Sequence, residues 1–261
     1  MTLAARVLKI AGVGVVIVVA LVAILTALRT ELPRSPGVMS DALGPDAGER
    51  VDDYLARAAG SLDQNKKNDD DDDEDPTTGG AAPRWALVTA GAAWSVTEAA
   101  DIVRALPRVS GLYVQVPVDG VAMPVTGVTL AEPVAGETGR AETFGRGLEQ
   151  VVARLDTGGP NAPAPAAPAA ASGALPPGGD RAAATAALTV SRLRAGEPAI
   201  IGVLARGTTE QLRAVAEQPR VRAVEALPAD AVWERFAVRP LQPQQVDAAV
   251  PLPDEARIPA R

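Results

Sequence analysis

From Ile10 to Leu28 the chain runs 19 residues without a charged side chain. Wound as a helix, that stretch spans about 28 Å, close to the hydrocarbon thickness of a bilayer. Twelve of the 19 are Val, Ile or Leu. Each favours lipid by roughly 0.3–0.6 kcal/mol, which outweighs the mild cost of Gly12, Gly14 and Thr26. A helix packed on a water-soluble domain keeps a polar stripe, and no such stripe exists here. The expectation is a transmembrane helix at residues 10–28 whose partner is the lipid bilayer, the competing reading being a cleaved signal peptide. Arg6, Lys9 and the amino terminus precede it, and an acidic stretch follows. That asymmetry predicts a plasma-membrane protein with a cytoplasmic tail at 1–9 and everything after residue 28 outside the cytoplasm.

The rest of the composition narrows the chemistry. Cysteine and histidine are absent, and the three lysines, Lys9, Lys66 and Lys67, all precede the segment with core-forming pattern. A Ser-His-Asp triad, a Cys-His dyad, a typical zinc site and a lysine Schiff base therefore cannot be built within this chain. No Gly-rich phosphate loop follows a strand. The expectation is a non-enzyme with no catalytic, cofactor-binding or metal residues and no cofactor. The least excluded chemistry is a carboxylate pair drawn from Glu98, Asp101, Glu210 and Glu217. Their helical spacing, with Asp101 three residues before Arg104, is also that of a solvated helix face. Trp94 offers two readings, an exposed aromatic contact or a plug at one end of the core.

Charge is unevenly distributed. Between Ser40 and Asp75 there are 13 acids and 4 bases, whereas Trp85 to Arg239 holds 15 acids and 14 arginines. The near-neutral segment has no basic stripe to release counterions from a polyanion, so nucleic acid is not an expected partner.

Past the membrane, residues 29–84 read as a stalk. It contains a short helix at 47–62, opened by Asp46 and Glu49 at capping-box spacing and presenting Val51, Tyr54, Leu55, Ala58 and Leu62 on one face. Seven consecutive acids at 69–75 then form a self-repelling spacer. Folded structure is expected over 85–239. Trp85–Ala90 reads as a strand, Ser95 and Glu98 start a helix that runs to Leu106, and Val109–Pro117 is the next strand. The pattern returns as strand Ile200–Ala205, helix Thr208–Gln218 and strand Val221–Leu227, offset by 112 positions: Thr97 matches Thr209, Glu98 matches Glu210, and Pro107-Arg108-Val109 matches Pro219-Arg220-Val221. Two more helices, Thr143–Asp156 and Arg181–Ala195, flank a disordered Pro/Ala/Gly loop at 158–179, and a further strand is expected around Val121–Leu130. The first helix presents Phe144, Leu148, Val151, Val152 and Leu155, the second Ala184, Leu188 and Leu193. Residues 240–261 read as an extended, surface-lying Pro/Gln-rich tail.

Two βαβ halves related by a pseudo-twofold make an antiparallel sheet with helices on one face. That is an α+β class and a ferredoxin-like domain, joined by disordered linkers to the transmembrane helix. The corner Pro219–Glu225 resembles the last helix-to-strand corner of subtilase propeptide domains, which share that fold. The layout as a whole resembles a group of uncharacterised single-pass membrane proteins of high-GC actinobacteria with a small extracytoplasmic α/β domain. The residues that carry it are Trp85-Ala86-Leu87-Val88, Thr97-Glu98-Ala99-Ala100, Val109 with Tyr113-Val114-Gln115-Val116-Pro117, and Arg239-Pro240-Leu241-Gln242-Pro243-Gln244-Gln245. Members of that group carry Arg where this chain has Gln115. The resemblance implies location and fold. The functional expectation is an envelope-facing interaction or scaffold module with a protein partner in the envelope. The alternative is a small-ligand-sensing domain.

Overall fold

The computed structural model describes residues 42–63, 82–131, 139–157 and 179–259. The transmembrane reading of 10–28, the acidic spacer 69–75 and nearly all of the loop 158–179 lie outside the described residues. Among the described residues no helix is long and apolar enough to cross a membrane.

The protein is of mixed α+β type. In chain order the elements are β1 (Ala42–Leu43), α1 (Val51–Ser61), β2 (Arg84–Trp94), α2 (Val96–Ile102), β3 (Arg108–Val114), β4 (Thr126–Thr129), α3 (Arg140–Asp156), α4 (Gly179–Arg194), β5 (Ile200–Gly207), α5 (Thr209–Ala216), β6 (Val221–Ala226) and β7 (Ala237–Val238). Five strands form one sheet in the order β4-β3-β5-β2-β6, and every neighbouring pair is antiparallel. Each expected βαβ segment is therefore a crossover: β5 separates β2 from β3, and β2 separates β5 from β6.

The helix starts follow from local chemistry. Ser95 accepts a hydrogen bond from the Glu98 amide while the Glu98 carboxylate accepts from the Ser95 amide. Thr208 and Gln211 make the same reciprocal pair. Each box satisfies two amides that a helix leaves without partners. The two caps lie one residue further apart than the 112-residue offset, so Glu98 corresponds in role to Gln211 and not to Glu210. The helix expected to reach Leu106 ends at Ile102, and turns carry the chain to Pro107. The expected α1 start at residue 47 also moves. Glu49 accepts from the Asp46 amide in a turn that precedes the helix, and the N-cap position is Arg50. There the Asp247 carbonyl accepts from the Val51 amide, supplying the partner that a capping side chain would have given.

The main core lies between the sheet and α2–α5. Ala86, Val88 and Ala90 of β2, Leu112 and Val114 of β3, Val203 and Ala205 of β5 and Val224 and Ala226 of β6 meet Ile102, Phe144, Val151, Leu188, Leu212 and Val215. Ala184 departs from the expected inward face of α4 and is exposed. Trp94 is buried at the end of β2, and its indole N–H donates to the Arg220 carbonyl at 3.2 Å. Its role is the plug, and the exposed-contact reading is overturned.

The second face of the sheet departs most from expectation. Strand residues alternate faces, so Trp85, Leu87 and Thr89 look away from the main core. They are covered by irregular chain and one helix. Val51, Tyr54 and Ala58 of α1 form a second cluster with Ala223, Leu241 and Ala249. Strand β1 pairs in parallel with β7, Leu43 opposite Val238. The segment after Arg239 is not surface-lying: Leu241 has no exposed surface, and Arg50 and Ala248 form a β-bridge. Residues 42–63 and 240–259 thus belong to the folded body, which extends past 85–239 on both sides.

Candidate functional site

The carboxylates suggested by the sequence do not converge. Glu98 is used by its capping box and by Arg220, whose guanidinium donates to it. The Ser95 amide and hydroxyl, with Arg220, hold its carboxyl below the usual range. Asp101, Glu210 and Glu217 do not meet it: all three are exposed, and among the described residues no ion pair joins Asp101 to Arg104. No group of three or more acidic side chains that could hold a metal occurs among the described residues. Gln115 is fully buried at the end of β3, where its amide donates to the Met123 carbonyl at 2.9 Å and to Gln242 at 2.7 Å. It fastens the segment after Arg239 to the sheet.

Three constellations of buried or stacked polar side chains stand out instead. The first is a clamp around Glu225. This β6 residue points at the second face with only 4% of its surface exposed. The Gly44 amide donates to Glu225 Oε2 at 2.5 Å, Arg57 of α1 donates to Oε1, and Arg57 also reaches the Gly44 carbonyl and Glu49. Gly44 is in the left-handed region with φ of 103°, and a Cβ there would lie 1.6 Å from the Arg239 carbonyl oxygen. Only glycine allows this approach. Burial pushes the Glu225 carboxyl up, against the opposing pull of the Gly44 amide and Arg57. The Tyr54 hydroxyl lies beside Thr89 and Glu225, and burial with the nearby carboxylate raises its pKa. Neither that hydroxyl nor Thr89 Oγ1 makes a hydrogen bond of ordinary geometry. The clamp binds β1, α1 and β6 together, with its carboxylate buried and its guanidinium partly exposed.

The second constellation is Arg84, 3% exposed at the start of β2. Its guanidinium donates to the Leu227 carbonyl at 2.6 Å and to the Ser61 carbonyl at 2.9 Å. Burial lowers its pKa. A cation there faces the last carbonyls of α1 and β6, the negative end of a helix dipole among them.

The third is aromatic and basic. Trp85 meets Trp233 at 4.7 Å between ring centroids and Phe236 at 6.2 Å. The guanidiniums of Arg108 and Arg206 lie over the Trp85 ring at 5.5 and 5.7 Å. Trp85 pairs with Arg206 and Arg206 with Arg108 across three adjacent strands. Neither arginine has a carboxylate partner among the described residues. Trp233 stays partly exposed, set by Glu234 at a φ of 65°.

Among the described residues, clefts of about 320 Å³ open at two places on the surface. One lies between α1 and α5 over β6, with Leu55, Ala59 and Ala216 at its walls and Arg213 and Glu217 at its rim. The other lies beside the start of β3 and α3, with Arg108, Arg140 and Thr143 among its lining. Neither converges acids, bases and nucleophiles on one point.

Comparison with family models, with characterised proteins and with solved structures finds no match. Of the three constellations, the sequence reading noticed only individual members. All three join residues more than 100 positions apart, and a single sequence gives no signal for such pairings. The Trp-Arg row had one local hint, an aromatic and arginines at strand ends.

Proposed function

We propose that the chain is a membrane-anchored, envelope-facing, non-enzymatic interaction or scaffold module. In this reading residues 10–28 hold it in the plasma membrane with the amino terminus in the cytoplasm. A ferredoxin-like domain, with residues 42–63 packed on its sheet, then stands outside. The observation that carries the reading is the 19-residue charge-free segment, which has no favourable home in a water-soluble fold. The strand order β6-β2-β5-β3 with its two split crossovers supports the ferredoxin-like assignment, β4 being an added edge strand. The ionisable groups support a structural, non-catalytic use of the domain. Glu98, Glu225, Arg57 and Arg84 commit their hydrogen-bonding capacity to the fold itself.

The test is topological. The full chain is expressed in bacterial cells, membranes are washed with alkaline carbonate, and intact cells are treated with protease. The expected result is retention in the carbonate-washed pellet and cleavage by external protease within residues 64–81. Recovery in the aqueous fraction without detergent, or protection of that stretch on intact cells, overturns the reading.

A further inference from the structure

We infer that the Arg108–Arg206 pair on Trp85 is a carboxylate-docking surface, and that its occupant in the free protein is the chain's own acidic run at residues 69–75. The inference goes beyond the proposed function and does not depend on the anchor.

The site begins with a conflict of charge. Arg108 on β3 and Arg206 on β5 are direct cross-strand partners, and both stack on the Trp85 ring of β2. Like charges placed directly opposite on one sheet face destabilise it. The indole face offsets part of this, since its quadrupole attracts each cation. Arg108 Nε donates to Ser110 Oγ at 3.2 Å and Arg206 Nε to the Pro83 carbonyl at 3.1 Å. Their terminal Nη groups have no partner among the described residues. Two guanidinium forks held side by side by stacking match the geometry of carboxylates, which accept two parallel N–H bonds from each.

Chain connectivity supplies the occupant. The described structure stops at Asp63 and resumes at Ala82. Both ends lie at the sheet end that carries the arginines: Arg84 donates to the Ser61 carbonyl, and Arg206 to the Pro83 carbonyl. Between them runs the sequence with seven consecutive acids. Five residues separate Asp63 from Asp69 and six separate Asp75 from Ala82. Fully extended, such tethers reach about 20 Å. The acids are therefore confined near two cations that lack a counter-charge among the described residues, at an effective concentration on the order of millimolar. The same pairing explains why a strongly acidic stretch adjoins a near-neutral domain. An external acidic segment would have to displace residues 69–75 to bind.

The test uses the full chain in neutral detergent and a hepta-aspartate peptide as probe, followed by tryptophan fluorescence at low salt. Wild type is compared with a variant in which Asp69–Asp73 and Asp75 become Asn and Glu74→Gln. For a free-peptide Kd on the order of 0.1 mM, occupancy in cis weakens apparent binding about tenfold. The neutralised variant is expected to bind the peptide about tenfold more tightly than wild type. Adding Arg108→Gln and Arg206→Gln in that background is expected to abolish binding. Should the double change prevent folding, Arg108→Gln alone, at an exposed position, is expected to weaken it severalfold. Equal binding by wild type and the neutralised variant, no binding by the neutralised variant, or binding that survives loss of the arginines overturns the inference.

Discussion

Replacing Glu225 by Gln should leave the protein as stable at neutral pH, or more stable, even though it removes a buried ion pair. The substitution keeps the shape and an acceptor for the Gly44 amide or for Arg57. Losing the charge-assisted bond to the other donor costs about 1.5–3 kcal/mol. Against that stands the penalty for holding a carboxylate at 5% exposure, several kcal/mol before its partners are counted. The raised pKa of Glu225 states which side wins: its partners do not fully offset burial. The sign follows. A folded pKa above the ordinary value near 4.5 gives stability that is fully present below that value and is lost as pH rises through the folded pKa. The gap between Glu225→Gln and wild type should therefore be near zero at pH 4 and grow toward pH 8 in favour of the variant. Arg57→Met does the opposite. It leaves Glu225 with the Gly44 amide alone and should cost about 2 kcal/mol at pH 7. That is below the 3–5 typical of a broken buried pair, because Arg57 is 43% exposed and keeps a water-screened share of its interaction. The penalty should shrink on acidification, and Glu225→Gln should rescue most of it. Urea titrations of both variants and the double variant from pH 4 to 8 measure all three quantities. A loss above about 2 kcal/mol for Glu225→Gln at pH 7, with no dependence of the gap on pH, would refute the reasoning.

Three further outcomes follow from the geometry. Arg84→Met should cost about 2–3 kcal/mol in urea denaturation, since it strands the buried Leu227 and Ser61 carbonyls, and Arg84→Lys should recover only part because an ammonium cannot span both. Ser95→Ala and Thr208→Ala should each cost about 1 kcal/mol and add within error, as the caps belong to separate helices. Gly44→Ala should separate β1 from β7, because its Cβ would overlap the Arg239 carbonyl; hydrogen exchange at the Arg239 amide, which donates to Leu43, should accelerate at least about tenfold while amides of β2 and β5 stay protected.

The main core was legible because its signals are local and periodic. The alternation through Leu112, Val114 and Val116, and the capping residues Ser95 and Thr208 before apolar runs, mark the elements that form. Strand order was not legible, since nothing in β2 or β5 names its partner. Trp94 looked ambiguous because it follows a run of Gly and Ala that reads as a loop, whereas β2 continues through an irregularity in its pairing and carries the indole into the core. The Glu225 clamp was illegible for a different reason. Its acid, its base and its amide come from β6, α1 and the turn after β1, and each alone looks like an ordinary solvated polar group.

The second face explains why composition misjudged the chain ends. A sheet with helices on one side only must still cover the other, and this one carries Trp85, Leu87 and Thr89 outward. The chain covers that face with Tyr54, Trp233, Phe236 and aliphatic residues such as Leu43, Val51 and Leu241, much of it on irregular backbone, and irregular backbone needs hydrogen-bond partners wherever it is buried. The observed partners meet that demand pair by pair. Leu43 accepts from Arg239, Glu49 from Ala249, Asp247 from Val51, and Arg222 donates to the Gln242 and Gln245 carbonyls. Each bond joins the entering segment or the sheet to the exiting one, so neither 42–63 nor 240–259 can be satisfied alone. Pro and Gln in the exiting segment, which suggest a solvated tail when read singly, suit this role. Proline removes an amide that would need a partner, and Gln115, Gln242 and Gln245 supply donors and acceptors where the sheet offers none.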